Sequence, residues 1–380
     1  MDRTPMTEHL NSLTDINKTS SLCNKLKATH KSLIEQFPFV CRIAITLYDP
    51  ATNILKTYLH SSDEENPLEH YESSLDDAPS LKSLLNKGLP RVINNLVTFE
   101  NSKNKHTQRI GRQGYAASYT LPMYNNGAFI GFIFFNSYEK DVFTEKNLQQ
   151  IDVYAHMISL MVINEITAIK TLSAAIKTTN KLTHLRDPET GSHLDRMSRY
   201  SRIIAKELAD QYNLSDSYIE HIFMFSPLHD IGKIGIPDNI LLKPGKLNGS
   251  EKKIMDTHVT IGREIIDELL EDFGLNNIDH KDMLRNIAEH HHEEMNGKGY
   301  PDGQKGEEIP LEARIVAVAD IFDALTSVRP YKKAWSNDEA IKKLNELAGE
   351  VLDKNCVNAL VRNLDEVEKI QLQFTENIYC

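Results

Sequence analysis

The side chains most able to do chemistry together lie in the second half of the chain. His229-Asp230 leads into Ile231-Gly232-Lys233-Ile234-Gly235, and His193, His258, His290, His291, His292, Asp320 and Asp323 fall in the same region. A lone His-Asp dipeptide means little, because chance supplies many. In this company it means more, since imidazole nitrogens and carboxylate oxygens together suit iron, manganese, zinc and related divalent ions. Adjacent residues on a helix project about 100° apart. His229 and Asp230 are therefore better placed to approach two ions, or to let Asp230 bridge them, than to serve one. Glu189 and His193 are spaced i, i+4, which puts both on one helix face after Asp187-Pro188. That pair suits a metal, but it equally suits a helix cap or a pairing of Glu189 with Arg186 or Arg196. His290-His291-His292 runs into Glu293 and then Asn296-Gly297-Lys298-Gly299-Tyr300-Pro301. Two glycines and a proline there demand a specific loop, which brings the tyrosine over a site. So many nitrogen and oxygen donors exceed what one such ion accepts, which suggests two or three metals.

A metal pair about 3.5–4 Å apart can activate a water and take up negative charge that develops on a bound substrate. Lys233 follows Asp230 by about one turn and can meet a phosphate or the attacking oxygen. Arg329 and Lys332 can clamp a phosphate, the arginine as a bidentate fork and the lysine as a point charge. Solvated surface charge is the plain alternative for all three cations.

These residues need a scaffold, and the rest of the chain supplies its outline. With 380 residues, 40% apolar and 26% charged, the chain is long enough for two domains with substantial cores. A net charge of -11, from 43 basic and 54 acidic residues, argues against non-specific DNA binding. Cys23, Cys41, Cys356 and Cys380 are scattered and read as reduced thiols. The first residues lack the apolar stretch of a signal peptide, and no continuous run approaches the ~18 apolar residues of a spanning helix. The expectation is a cytoplasmic protein with no DNA and no membrane partner.

Residues 1–17 read as a polar tail. An amphipathic helix is expected from about 18 to 37, then strands over Val40–Tyr48 and Ile54–Leu59. Two further strands, Ala116–Tyr124 and Ala128–Phe135, flank Asn125-Asn126-Gly127, a hairpin signal because Asn-Gly tolerates positive φ. Helices are expected around Leu81–Lys87 and Thr98–Ile110. The first domain, 18–165, is thus a small antiparallel sheet with helices on it. From Phe143 apolar residues recur every three or four positions, with no glycine or proline before Arg186. One long connecting helix over 143–186 follows, either packed on its own sheet or acting as a dimerising, signal-carrying stripe; its length favours the second. From 187 to 380 strand signals nearly vanish and the pattern is all-α. The fold class is α+β multidomain.

Several of these motifs together resemble the HD-GYP group of the HD phosphohydrolase superfamily. The resemblance rests on His229-Asp230-Ile231-Gly232-Lys233 and Gly299-Tyr300-Pro301, with Arg186–His193, Met255 and His258, Val318-Ala319-Asp320 and Asp323–Lys332 in the family's order. It implies hydrolysis of cyclic di-GMP to linear pGpG, GMP or both. It implies metal ligands at His193, His229, Asp230, His258, His291, His292 and Asp320, with Glu189 matching a position that helps hold a third metal in a subset. Two or three divalent metals are implied, iron by preference and manganese as the alternative, while His290 is not expected to be a ligand. His229, Asp230 and Lys233 are the implied catalytic residues; Lys233, Tyr300, Asp323, Arg329 and Lys332 are implied to meet the substrate. Asn296, where the family usually has aspartate, and the changed segment Gly349–Lys354 bear on the loop and on partner choice. The implied partners are a second copy, through the long helix, and a diguanylate cyclase or other signalling protein at the loop around Tyr300. More weakly, residues 18–165 resemble a GAF sensor domain through their element order and Leu121-Pro122, Gly127 and Ile130-Gly131-Phe132. Two rivals stay open: a catalytically silent cyclic di-GMP receptor, and a phosphodiesterase for another cyclic dinucleotide.

Overall fold

The computed structural model describes residues 13–14, 16, 21–62, 69–96, 114–182, 191–275, 278–327 and 334–375. The chain divides into two compact units, one of residues 1–167 with 277–279 and one of 168–276 with 280–380. The fold is a mixed α+β, multidomain one. The helix expected over Thr98–Ile110 and most of the N-terminal tail lie outside the described residues.

The first unit opens with α1 (Leu22–Gln36), whose start is fixed by the Ser21 side chain accepting from the Asn24 amide. Six antiparallel strands follow: β1 (Arg42–Asp49), β2 (Ile54–Ser62), β3 (Glu72–Ser74), β4 (Arg91–Ile93), β5 (Ala117–Asn125) and β6 (Ala128–Ser137), in the order β3-β2-β1-β6-β5-β4. The β5–β6 hairpin turns at Asn126 and Gly127, with φ of 48° and 82°, the backbone that Asn-Gly allows. β3 and β4 went unanticipated because three residues are too few to show an alternation. Successive strand residues point to opposite faces, and helices cover both. On one face α2 (Pro79–Lys87) packs Leu81 and Leu84 against Leu55 and Phe132.

The other face is covered by the long helix α3 (Glu145–Leu182). Tyr58 donates to Glu165 at 3.1 Å, and Tyr119 donates to Asp152. The expected helix over 143–186 is observed over 145–182, and 183–186 lie outside the described residues. By length and composition alone α3 could cross a membrane, its best window having a mean hydropathy of 1.3. Polar residues interrupt every continuous apolar run in it, so this rests on the window average alone, a test that the core helix of a globular unit also meets. Ile151, Ala155, Ile158, Val162, Ile166 and Ile169 are nonetheless buried, a stripe at the spacing of a globular amphipathic helix.

The second unit is helical: α4 (Gly191–Glu207), α5 (Ala209–Tyr212), α6 (Asp216–Phe225), α7 (Asp238–Leu241), α8 (Gly249–Asp256), α9 (His258–Asp272), α10 (Lys281–His290), α11 (Leu311–Thr326), α12 (Asn337–Leu347), α13 (Lys354–Arg362) and α14 (Leu364–Gln373). Asp353 caps α13 through the amides of Asn355 and Cys356 and forms a buried pair with Arg314 at 2.5 Å. The aspartate kept in the altered segment near 350 is therefore structural.

In the sheet, a Cβ at Gly131 would stand 1.8 Å from the Thr46 carbonyl oxygen, so β1 and β6 meet there only because the residue is glycine. Gly131→Ala is expected to cost the first unit about 3 kcal/mol through overpacking, read as a lowered urea midpoint. An unchanged midpoint would mean that β1 and β6 do not pair in this register.

Candidate metal centre

Five segments deliver the ligand-type side chains to one place. Asp216–Phe225 ends in a 3-10 turn, Ser226–Leu228, with proline at its start, and His229-Asp230 leads directly into a second, Ile231–Gly235. His258 opens α9, His291 and His292 leave the C-terminal end of α10, and α4 and α11 contribute His193 and Asp320. A Cβ on Gly232 would lie 1.8 Å from the His258 carbonyl oxygen and 2.4 Å from the Gly262 nitrogen. The bare Cα is what lets α9 come close enough to set His258 beside Asp230.

Each imidazole is aimed by its other nitrogen. His229 Nδ1 donates to the Ser226 carbonyl at 3.0 Å, His258 Nδ1 to Met255 at 2.8 Å and His291 Nδ1 to Ile287 at 2.9 Å. A carbonyl only accepts, so the proton sits on Nδ1 and the Nε2 lone pair points inward. His292 is held differently, by stacking on Tyr300 with centroids 4.9 Å apart and planes 27° apart.

The ligand-type atoms fall into two groups, each with its atoms within 4.8 Å of one another: Asp230, His258, His291 and His292, and His193, His229 and Asp320. Asp230 joins them. Its Oδ1 lies 3.2 Å from His258 Nε2 and 3.7 Å from His291 Nε2, while its Oδ2 lies 3.0 Å from His229 Nε2 and 2.7 Å from Lys233 Nζ. In the second group Asp320 Oδ1 is 3.7 Å from His193 Nε2 and 4.0 Å from His229 Nε2. Burial alone would raise the Asp230 carboxyl, but the Lys233 charge and the His229 imidazole hold it well below the usual range. Burial pushes His291 down, and burial together with His291 pushes His292 well down. The site therefore presents an ionised carboxylate at Asp230 beside imidazoles at His291 and His292 that burial holds toward the neutral form, the states that bind metal.

Nε2 of His258, Nε2 of His291 and Oδ1 of Asp230 are buried with no hydrogen-bond partner among the described residues. Buried acceptors in this state are costly, and a divalent cation satisfies all three. These residues fit such ions, and the imidazole and carboxylate set suits iron, manganese or zinc.

Among the other expected site residues, Glu189, Arg329 and Lys332 lie outside the described residues. Lys233 sits at the edge of the cluster with its side chain 21% exposed. Tyr300 is partly buried, and burial, then Asp256, raises its hydroxyl so that it stays protonated. His290 is set apart from both groups, grouped instead with Glu293 and Asp302. Asp323 requires a correction. It was expected to meet substrate, but its carboxylate is fully buried and accepts from His193 Nδ1 at 2.7 Å and from Ser327 at 2.9 Å. Arg196 also forks onto it, through Nε at 2.6 Å and Nη2 at 2.9 Å. Asp323 thus orients a ligand-type histidine. Its signal was its position, one helical turn beyond Asp320, just as Arg196 follows His193 by one turn. Glu293 was also missed: its Oε1 accepts from the Asp302 and Gly303 amides at 2.8 and 3.1 Å and ties down the loop carrying Tyr300. A Cβ on Gly299 would meet the Glu294 nitrogen at 2.3 Å, so that loop also closes only on glycine.

An orienting carboxylate and a substrate-binding one differ in what their loss changes. Asp323→Ala is expected to weaken metal binding about 10–100-fold, measured by competition with a chelator. At saturating metal the KM should stay near the wild-type value. A raised KM with unchanged metal affinity would restore the substrate role.

Residues 185–356 match the HD domain family. The cyclic di-GMP phosphodiesterase response regulator RpfG of Xanthomonas campestris pv. campestris is 46% identical over 190 residues, covering 50% of this chain and 47% of that protein. The 3'3'-cGAMP-specific phosphodiesterase 2 of Vibrio cholerae is 38% identical over 181 residues, covering 48% of this chain and 33% of that protein. The chain thus spans about half, or less, of these curated relatives. A GAF domain/HD domain protein from Geobacter sulfurreducens aligns with a TM-score of 0.31 at 18% identity, covering 41% of this chain and 97% of that one. The segment that matches the HD domain family, residues 185–356, holds both groups of ligand-type side chains, which the His229-Asp230 pair joins.

Proposed function

We propose that the chain is a metal-dependent phosphodiesterase that hydrolyses cyclic di-GMP to linear pGpG, GMP or both, under the control of its first unit as a GAF-like sensor. The observation that carries this reading is the Asp230 carboxylate, which turns one oxygen to each group of inward-facing imidazoles. The similarity to RpfG over the same segment supports it. One group, Asp230, His258, His291 and His292, would hold one ion, and His193, His229 and Asp320 with Asp230 a second; Glu189 is proposed for a third. Bound there, iron or manganese would polarise the phosphoryl group and make water a stronger nucleophile at neutral pH.

The chain's own groups do the rest. Lys233, held by Asp230 at 2.7 Å, keeps a positive charge where negative charge builds on the phosphoryl oxygens. Tyr300 keeps its proton and can donate a hydrogen bond to the substrate while its ring fixes His292. Arg329 and Lys332 are proposed as the phosphate clamp. These groups recognise phosphate rather than base, and a 3'3'-cGAMP-specific relative exists at 38% identity, so another cyclic dinucleotide is the second reading. The proposal extends to a cytoplasmic homodimer through α3, on whose outer face Val153 and Leu160, seven residues apart, are 68% and 67% exposed. The loop around Tyr300 is the proposed docking point for a diguanylate cyclase or another signalling protein.

The deciding experiment follows products from cyclic di-GMP and 3'3'-cGAMP with iron- or manganese-loaded protein under reducing conditions. Turnover of cyclic di-GMP is expected, and Asp230→Ala should lose both turnover and bound metal. Binding without turnover by fully loaded wild type would instead make the chain a receptor. Metal number is tested separately, by analysis of anaerobically purified wild type beside Glu189→Ala. The expected fall is from about three to about two ions per chain; two in both proteins would leave Glu189 without a metal.

A further inference from the structure

The first unit holds a cavity of its own. The sheet face beneath α2 borders a cavity of about 80 Å³. One water needs about 10–15 Å³ measured this way, so the space admits a small organic molecule. The strand residues around it alternate as one face requires: Arg42, Ala44 and Thr46 on β1, Leu55 and Thr57 on β2, and Arg91 and Ile93 on β4. A sheet face covered by a helix is ordinarily apolar. This one is apolar only in part, through Leu55, Leu81, Ile93 and Phe134, and it carries two arginines but no carboxylate among its described lining residues.

The two arginines differ. Arg42 is 3% exposed and donates to Asn136 Oδ1 at 3.3 Å, and Asn136 in turn donates to Ser118. Arg91 has one long contact, Nη2 to Thr120 Oγ1 at 3.5 Å. Its Nε and Nη1 are buried without a hydrogen-bond partner among the described residues. A guanidinium does not lose its proton in a protein, so a buried one without a counter-charge is costly. Its planar fork matches a carboxylate or phosphate. Burial also pulls its pKa down, as expected for a cation lacking an anion nearby.

We propose that this cavity binds a small organic anion, a carboxylate or phosphate ester with an apolar body, whose charge is neutralised by Arg91. The apolar wall takes the body, and the hydroxyls of Thr57 and Ser118 are available to the polar end. The site needs neither the metals nor the hydrolysis proposed above, and its test uses neither.

The full-length protein is titrated calorimetrically with benzoate, phenyl phosphate and the neutral isostere benzamide. Saturable binding of at least one anion, at least tenfold tighter than benzamide, is expected, and the preferred anion separates a carboxylate ligand from a phosphate one. Arg91→Gln should lose that binding at least tenfold, yet melt no lower than wild type without ligand, because an uncompensated charge has gone. Arg91→Lys, which keeps the charge and loses the fork, should bind with intermediate affinity. Benzamide binding as tightly as the anions, or undiminished anion binding by Arg91→Gln, overturns the proposal. So does wild type that binds neither anion. If Arg91→Gln is then also destabilised, the guanidinium is neutralised by an acid of the chain itself.

Discussion

The second unit is organised around one buried carboxylate. Asp230 has two oxygens and sits among imidazoles on two sides, so it belongs to both groups at once. Burial works against its ionised form, and Lys233 at 2.7 Å together with His229 outweighs it. An ionised Asp230 then makes sense of the histidines around it, whose protons are drawn outward by backbone carbonyls. Reversing any one tautomer would point an N–H at a site built to receive a cation. The constraint propagates into the backbone. Gly232 must lack a Cβ for α9 to approach, and the carbonyl that holds His258 is that of Met255, just before α9 begins. The two short 3-10 turns, Ser226–Leu228 and Ile231–Gly235, thus help to set where four helices converge.

Behind the imidazoles stands a further polar layer, buried at Asp323, His193 and Arg196. Asp323 links His193 to Arg196, and Arg196 reaches on to the Phe374 carbonyl at 2.8 Å, near the end of α14. Burial opposes the ionised form of Asp323, and His193 and Arg196 outweigh it, so its pKa is lowered. This is a high-stakes arrangement in low dielectric: fully satisfied it fixes the ring of His193, and partly satisfied it would cost more than an apolar core. Placing the C-terminal helix in the same network ties the geometry of the site to the closure of the whole helical unit.

Much of the site was legible in the sequence because its ligand-type residues lie in short motifs whose spacing follows helical geometry. His229-Asp230, His291-His292 and Asp320 all reach the cluster their motifs suggested. Asp323 was misassigned for a physical reason. Its partners His193 and Arg196 are 130 and 127 positions away, and only the packing of α4 on α11 brings them together. The four longer strands were readable from alternation, and the Asn-Gly turn from its residue type. β3 and β4 were not, since a three-residue strand takes its identity from its neighbour rather than from its own sequence. The polar alternation of Arg42, Ala44 and Thr46 was visible, but whether that face met water or a helix was not.

That last distinction gives the two units a common logic. An arginine alternating on an open sheet face needs no explanation, because water solvates it. Under α2 the Nε and Nη1 of Arg91 are buried donors without a partner among the described residues, as the acceptors around Asp230 are buried anion and lone pairs. Each unit thus carries polar groups that its own fold leaves unsatisfied, of opposite sign: one set calls for cations and the other for an anion. Such groups lower the stability of the empty protein and return it on binding, in proportion to RT ln(1 + [L]/Kd). Natural sequences depart from local consistency at sites of function. Two such departures stand out among the described residues, around Asp230 in one compact unit and at Arg91 in the other, while the cores of Ile, Leu, Val and Phe are closely buried. Occupancy of either site therefore adds stability mainly to its own unit, and coupling between them requires an element that both units share. The helix Glu145–Leu182 starts in one unit and ends in the other.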